Sequence, residues 1–435
     1  MKMAVIQMNE LTYRDLEEKV IEKKLDNGLQ VYLIPKPEVT KSYGLFMTDY
    51  GSVHRSFIPI GKTEEITVPD GIAHFLEHKL FEKEDRDVFA DFLKNGASPN
   101  AYTSFTKTAY LFSTTKLVKE NVEILLDFVQ DPYFSEASVE KEKGIIEQEI
   151  KMYDDQADWQ AFTGTIRNMF HNHPVQIDIA GTVDSIQDIT KDDLYTCYNT
   201  FYHPENMTLC VIGAFDEQEM MQLIEDNQQA KTFPTFTNVE KHFPNEPVGV
   251  KEKESTLQLP VSTPKVTVGI KEAAYSLSKE EFLRRDVYQD MLLDYFFSPS
   301  GQFYEQLYQE ELIDDSFEYT TNVEKSFSFS LISSNTAHPE QLKTRIFDQL
   351  LQISQLEITE EELDVMKKKY IGQLLRVMNS LEFIANQYIY YHFMELDFFT
   401  INEFVQNITL DEINEFMQEW IIEDKLTACI ITQPE

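Results

Sequence analysis

The sequence predicts a two-domain α+β protein made of two related halves. Its 435 residues exceed what one core ordinarily accommodates. Strand-like and helix-like stretches alternate along the whole chain, separated by turn residues. In addition, "ITKDDLYTCYNTFY" (189–202) lies on "ITLDEINEFMQEWI" (408–421) without gaps, at an offset of 219. Each copy is followed by a β-like run, "MTLCVIGAF" and then "LTACIITQP". Convergent amphipathic patterning can account for one helix; matched order and spacing at the end of each half favour duplication.

The elements follow in order. "LDNGLQVYLIP" (25–35) reads as an Asn-Gly turn and a strand, and "KSYGLFMTDYGS" (41–52) as a second strand. "PDGIAHFLEHKLF" (69–81) starts a helix after Pro-Asp-Gly, and "DRDVFADFLKNG" (85–96) is a short amphipathic helix closed by Asn-Gly. "PNAYTSFTKTAYLFSTT" (99–115), rich in Thr, Tyr and Phe, reads as paired strands. Helices are expected over 117–130 and 136–153, and a strand over 207–215. Residues 227–250 carry three prolines and no sustained period, which reads as a linker. The expected division is 1–226, a 227–250 linker, and 251–435.

Composition limits the function. The formal charge of −37 opposes binding to nucleic acid or to anionic membrane surfaces. No apolar run approaches the roughly 18–20 residues that span a bilayer, and the N-terminal stretch has no apolar core of a secretory signal. Cys197, Cys210 and Cys429 form neither a CxxC pair nor a disulfide framework, which suits the cytoplasm. "HNHP" (171–174) has the letters of an HNH nuclease without its ββα-metal context, and reads as a loop. No phosphate-cradling glycine loop and no G-x-S-x-G elbow occur.

"GIAHFLEHKLFE" (71–82) carries the chemistry. A helix advances about 100° per residue, so His78 lies only about 40° around from His74, and both imidazoles can reach one ion. Glu77, on the flank of that face, can touch a water on the ion without being a ligand. H-x-x-E-H is the reverse of the H-E-x-x-H order, and its chemistry is that of a zinc hydrolase. Neutral imidazoles hold the ion, and a carboxylate takes the water's proton. Chance produces the pattern in roughly one to two of a hundred such chains, and hydrogen-bonded core histidines are the competing reading. A third ligand is required, and the best donor is the acidic helix "SVEKEKGIIEQEIKMYDD" (138–155). There Glu142 and Glu149, two turns apart, share a face.

At this point the chain resembles a known family. "DGIAHFLEHKLF", "GASPNAYTSFTKTAYLF", "EKEKGIIEQEIKMYDD" and "FYHPENMTLCVIGAFD" match, in order, the landmarks of the insulinase/pitrilysin family of inverzincin metallopeptidases. Within it, the chain looks like the bacterial YmfH-like insulinase proteins. The resemblance implies two halves, each an antiparallel sheet with helices packed on one face, enclosing a peptide-binding cavity. It implies one Zn²⁺ per chain on His74, His78 and Glu149, with Glu77 as general base and Glu142 orienting a ligand. It also implies that Asn100, Ala101 and Tyr102 lie on a sheet edge that binds peptide substrate by strand addition.

The second half departs from the family pattern. Single-chain members carry an Arg and a Tyr, seven apart, that hold the substrate and its developing oxyanion. In "GQFYEQLYQEELIDDSFEY" (301–319), Tyr308 stands about where the Arg would be, and Asp314 or Asp315 about where the Tyr would be. Tyr319 is the other candidate substitute. The expected function is therefore a zinc-dependent endopeptidase acting on unfolded peptides or small peptide precursors. It would be the metal-bearing subunit of a hetero-oligomer such as a heterodimer, its homologous partner subunit supplying Arg and Tyr, with a homodimer as the other assembly. The alternative is a weakly active or inactive peptide-binding scaffold.

Overall fold

A computed structural model of the chain describes residues 8–272 and 276–434. The chain opens with strands β1 (Asn9–Tyr13), β2 (Glu18–Lys24), β3 (Gln30–Pro35) and β4 (Ser42–Thr48). A two-residue pair, β5 (Ser56–Phe57) and β6 (Ile66–Thr67), precedes helices α1 (Ile72–Phe81) and α2 (Phe89–Lys94). The hairpin β7 (Ser98–Thr103) and β8 (Thr108–Thr114) leads into α3 (Val118–Val129), α4 (Glu136–Asp154) and α5 (Ala157–Met169). Then come α6 (Val183–Gln187), α7 (Lys191–Phe201), β9 (Met207–Gly213) and α8 (Glu217–Gln229). The later part holds β10 (Glu254–Gln258), β11 (Lys265–Glu272), α9 (Lys279–Phe297), α10 (Gln302–Gln309), β12 (Glu318–Val323) and β13 (Ser328–Asn335). It closes with α11 (Pro339–Ile353), α12 (Glu360–Val377), α13 (Leu381–Phe393), α14 (Ile401–Asn407), α15 (Leu410–Trp420) and β14 (Leu426–Thr432).

Two sheets repeat one wiring. The first runs β1-β2-β3-β9-β4-β8-β7 and the second β10-β14-β11-β13-β12. In both, the return strand (β9 or β14) pairs parallel on one side and antiparallel on the other, and the remaining pairs are antiparallel. The gapless offset extends beyond the matched letters. Helices α7 and α15 each start on a capping box, Thr190 with Asp193 and Thr409 with Glu412. Strands β9 and β14 begin six residues after their helices end. Duplication is thus written in hydrogen bonds as well as in sequence.

The compact units are not contiguous. One comprises 1–148, 179–242 and 377–399; the other comprises 149–178, 243–376 and 400–435. The first therefore includes α13 from late in the chain, and the second includes α5 from early in it. Strands β4 and β9 are buried at every position, which requires cover on both sheet faces. In the first unit α3 packs on β4 and β8, and α13 packs on β4 and β9. Helices thus occupy the expected face and the opposite one as well. In the second unit α5 packs on β11 and β14. There Gly164 approaches so closely that a Cβ would stand 2.8 Å from Cys429 Sγ.

The expected linker is tied down. Within the first unit, Ile58 N donates to Glu240 O, and Lys241 Nζ reaches the Asp49 carbonyl at 2.7 Å. Within the second, the Glu246 carboxylate accepts the backbone N–H groups of His171, Asn172 and His173, and Lys271 donates to it at 2.6 Å. The chain leaves one unit for the other between His242 and Phe243.

Candidate metal centre

Helix α1 starts where only glycine fits. Gly71 sits at φ +89°, and a Cβ there would meet the Ala180 carbonyl oxygen at 2.3 Å. Ile72, Phe75, Leu76 and Leu80 then bury one stripe of the helix. That anchorage turns His74 and His78 to one side, with ring centroids 4.5 Å apart.

The third donor comes from α4. One ligand atom from each of His74, His78 and Glu149 lies within 4.8 Å of the other two. The division into units falls inside α4, between Gln148 and Glu149, so a single continuous helix carries both Glu142 and Glu149. Tetrahedral zinc with ligands at about 2.0–2.2 Å sets those atoms roughly 3.4 Å apart. A contraction of at most about 1.5 Å, within the reach of small side-chain rotations, would satisfy it. Two imidazoles and a carboxylate form a catalytic zinc ligand set that leaves a position open. The residues present fit the ion.

Their electrostatics agree with that. Burial, and then the neighbouring His78, hold the His74 imidazole neutral, with its pKa lowered to about 3. A neutral ring is the form that coordinates a metal. Nδ1 of His78 lies 3.1 Å from Glu142 Oε1. An ionised carboxylate can only accept, so Nδ1 carries the proton between them, and in the neutral ring the lone pair then falls on Nε2. Burial pushes the Glu142 carboxyl upward, but the His78 hydrogen bond and charge, followed by the charge of Lys79, bring it below its ordinary range.

Glu77 is turned inward, 9% exposed, and its Oε2 accepts from Thr103 Oγ1 at 2.7 Å. Thr103 is a residue at this centre that the sequence motifs did not single out. Its signal was the strand alternation in "SPNAYT", which puts Thr103 and Ala101 on one face and Tyr102 and Asn100 on the other. Tyr102 accordingly faces α13, where its hydroxyl donates to Asn386 Oδ1 at 2.5 Å. Asn386 in turn donates to the Tyr43 hydroxyl at 3.3 Å.

β7 ends the sheet. Ser104 N donates to Lys107 O, and the register pairs Thr103 with Thr108 and Ala101 with Tyr110. Hydrogen-bonded and non-bonded pairs alternate, so the main-chain groups of Ala101 and Thr103 point outward from the sheet. The Asn100 and Tyr102 amides point into it. Of the three residues expected at this edge, Ala101 offers its backbone.

The 301–319 region contains no arginine. Tyr308 on α10 is 57% exposed and stacks on Tyr304. Asp314 caps its own turn by accepting from the Ser316 backbone at 2.9 Å. Tyr319 on β12 donates to Asp294 at 2.9 Å, and burial followed by that carboxylate raises its pKa. In this unit α9 packs along β12 as α1 does along β7. Instead of a His/Glu set, it meets the strand through Thr321–Gln289 and Tyr319–Asp294 hydrogen bonds.

Comparison with known proteins gives this arrangement a family. Residues 52–183 match the model described as Insulinase (Peptidase family M16), and 188–370 match Peptidase M16 inactive domain. A Bacillus subtilis relative named uncharacterized zinc protease YmfH is 46% identical over 96% of this chain and 98% of its own. This chain belongs to the insulinase family, peptidase family M16. The resemblance read from the motifs is therefore met. A putative M16-like peptidase from Alicyclobacillus acidocaldarius superposes with TM-score 0.92 at 37% identity, covering 99% of this chain and all of that one. A protease from Helicobacter pylori shares the fold at TM-score 0.80 and 18% identity, covering 99% of this chain and 100% of that one. The insulinase match spans α1, β7 and α4 up to Asp154, and so contains the whole His/Glu cluster. The M16 inactive-domain match takes in α9, α10 and the 301–319 stretch. No helix among the described residues is long and apolar enough to cross a membrane.

Proposed function

We propose that this chain is a zinc-dependent endopeptidase that hydrolyses unfolded peptides or small peptide precursors in the cytoplasm, holding one Zn²⁺ on His74, His78 and Glu149. The observation that carries the reading is the convergence of those three donors within 4.8 Å, with Glu77 one residue before His78 on the same helix. The B. subtilis relative, named a zinc protease, points the same way. A zinc ion in such a site lowers the pKa of a coordinated water toward neutrality and polarises a peptide carbonyl.

The chain's own residues supply the rest. The outward main-chain groups of Ala101 and Thr103 pair with an extended peptide, which aligns one bond with the centre and leaves Asn100 and Tyr102 as strand neighbours. Glu77 accepts the proton released in the attack and passes it to the leaving amine. Thr103 holds the Glu77 carboxylate while it does so, and Glu142 fixes the tautomer of His78. The task left over is stabilising the oxyanion. With no arginine in 301–319, a homologous partner subunit supplies Arg and Tyr. A homodimer is the alternative assembly, and its second copy would bring the same arginine-free stretch.

The second reading is a peptide-binding scaffold with little activity of its own, favoured by the acidic character of Asp314 and Asp315 where an oxyanion donor is needed. Metal analysis with peptide cleavage separates the two. Zinc near one equivalent is expected, together with cleavage that Glu77→Gln lowers by about a hundredfold or more while zinc stays bound. Cleavage indifferent to Glu77→Gln rules the mechanism out. A wild-type chain inert by itself is assayed again with its co-expressed homologue, and inertness there supports the scaffold.

A further inference from the structure

We propose that Lys79 is a positioning residue of the metal centre: its buried ammonium holds Glu142, and through Glu142 the His78 imidazole, in the orientation that coordinates zinc. The proposal rests on the zinc reading above and adds to it a residue outside the His/Glu set.

Lys79 directly follows His78, and its side chain is 0% exposed, among the largest fully buried in the protein. An ammonium in that position is strongly disfavoured unless acceptors surround it. Three do. Glu82 Oε2, just past the end of α1, accepts from it; the Ser138 carbonyl lies at 3.5 Å, and Glu142 Oε2 forms an ion pair with it at 3.8 Å, beyond hydrogen-bond length. Ser138 and Glu142 are four apart on α4, so the lysine lies along one face of that helix.

The two oxygens of Glu142 thus have separate partners, Oε1 toward His78 Nδ1 and Oε2 toward Lys79. A carboxylate held at one oxygen cannot rotate freely, so the other stays aimed at the imidazole. Two effects on zinc then oppose each other. The cation repels a divalent ion directly, while the orientation it imposes favours coordination. Glu142 stands between the ammonium and His78 and offsets its field, so orientation decides the sign. A simple tether between α1 and α4 would behave differently. It would lower the stability of the metal-free protein and leave zinc affinity alone.

The experiment measures the zinc dissociation constant by chelator competition, the visible spectrum of the Co²⁺-loaded protein, and the metal-free unfolding temperature. Lys79→Met keeps the side-chain volume. It is expected to raise the zinc dissociation constant about tenfold or more and to change the Co²⁺ spectrum. In a Glu142→Gln background the same change is expected to matter less than about twofold, because the residue it acts through is gone. An unchanged or tighter affinity in Lys79→Met, or an equal loss in both backgrounds, overturns the proposal. Should Lys79→Met not fold, Glu82→Gln removes the competing carboxylate on a side chain 37% exposed. The released ammonium is then expected to move onto Glu142 and shift the zinc dissociation constant by about threefold or more, whereas an unchanged constant with an unchanged Co²⁺ spectrum overturns the Lys79–Glu142 link. A wild-type protein that takes up no zinc overturns the metal reading itself, whereas wild-type uptake with an indifferent Lys79→Met overturns this inference alone.

Discussion

Thr103 and Glu77 show what a single hydroxyl does in a buried carboxylate's surroundings. A hydrogen bond to a charged group is worth about 1.5–3 kcal/mol, and it also selects one rotamer of the acceptor. Thr103→Val keeps the β-branched shape and removes only the donor. The expected result is a fall of about tenfold in kcat/KM with zinc content unchanged, measured by peptide cleavage alongside metal analysis. A loss of zinc instead would place Thr103 in support of the ligands. His74, Glu77 and His78 were readable from spacing, because a helix converts i and i+4 into neighbours, whereas Glu142 and Glu149 were two candidates on one face whose roles came from the family resemblance. Thr103 and Lys79 were readable in neither way. Neither belongs to a motif, and both matter only through the element packed against them.

Strand β7 has the same character one level up. "PNAYTSFTKTAYLF" signals paired strands by composition, but which strand ends the sheet is a property of the order β9-β4-β8-β7. At such an edge the outward amides are a docking template for another strand. Ala101→Pro removes the outward N–H at the centre of that template and keeps the amides that face β8. A rise in KM, or a fall in kcat/KM of tenfold or more, is expected with normal zinc content. The same change at a position whose amide faces β8, such as Tyr102, is expected instead to lower the unfolding temperature. Equal kinetic effects at both positions would argue against strand addition. Helices α7 and α15 were legible throughout, since capping boxes and apolar spacing are local signals that survive divergence.

For the whole molecule, the compact units interleave along the chain. Tyr32, Tyr43 and Tyr102 lie under α13, with Tyr32 against Tyr388 and His392, and Lys107 over the Tyr390 ring at 4.0 Å. A fragment ending at residue 250 lacks that helix and bares one face of β4 and β9, strands that are otherwise fully buried. Losing the cover of several aromatic and aliphatic side chains, at about 1.5–3 kcal/mol each, exceeds the stability of an ordinary domain. The fragment is expected to show no cooperative thermal unfolding and no native near-ultraviolet circular dichroism. Adding residues 377–399 on a long flexible tether is expected to restore both. A fragment that melts at the full-length temperature would contradict the unit assignment. The linker, too, reads as loose from its prolines and polar residues, and is held by Glu246, Lys241 and Lys271 through contacts that no local pattern announces.

By itself the sequence determined the class of the protein, its duplication, the helix that presents His74 and His78, and the acidic helix that answers it. These are consequences of period and spacing, and a period of 3.6 or 2 is set by the backbone alone. Only the tertiary structure brought a Glu149 oxygen within 4.8 Å of both histidines and set Glu142 against His78 Nδ1. It alone aimed Thr103 at Glu77, buried Lys79 beside Glu142, and gave Ala101 rather than Tyr102 the outward amide. It also assigned α5 and α13 to units remote from them in sequence. The physical reason is common to all of these. A side chain's partner depends on which elements pack together, and packing is fixed by the burial of whole faces, to which no short stretch of sequence has access.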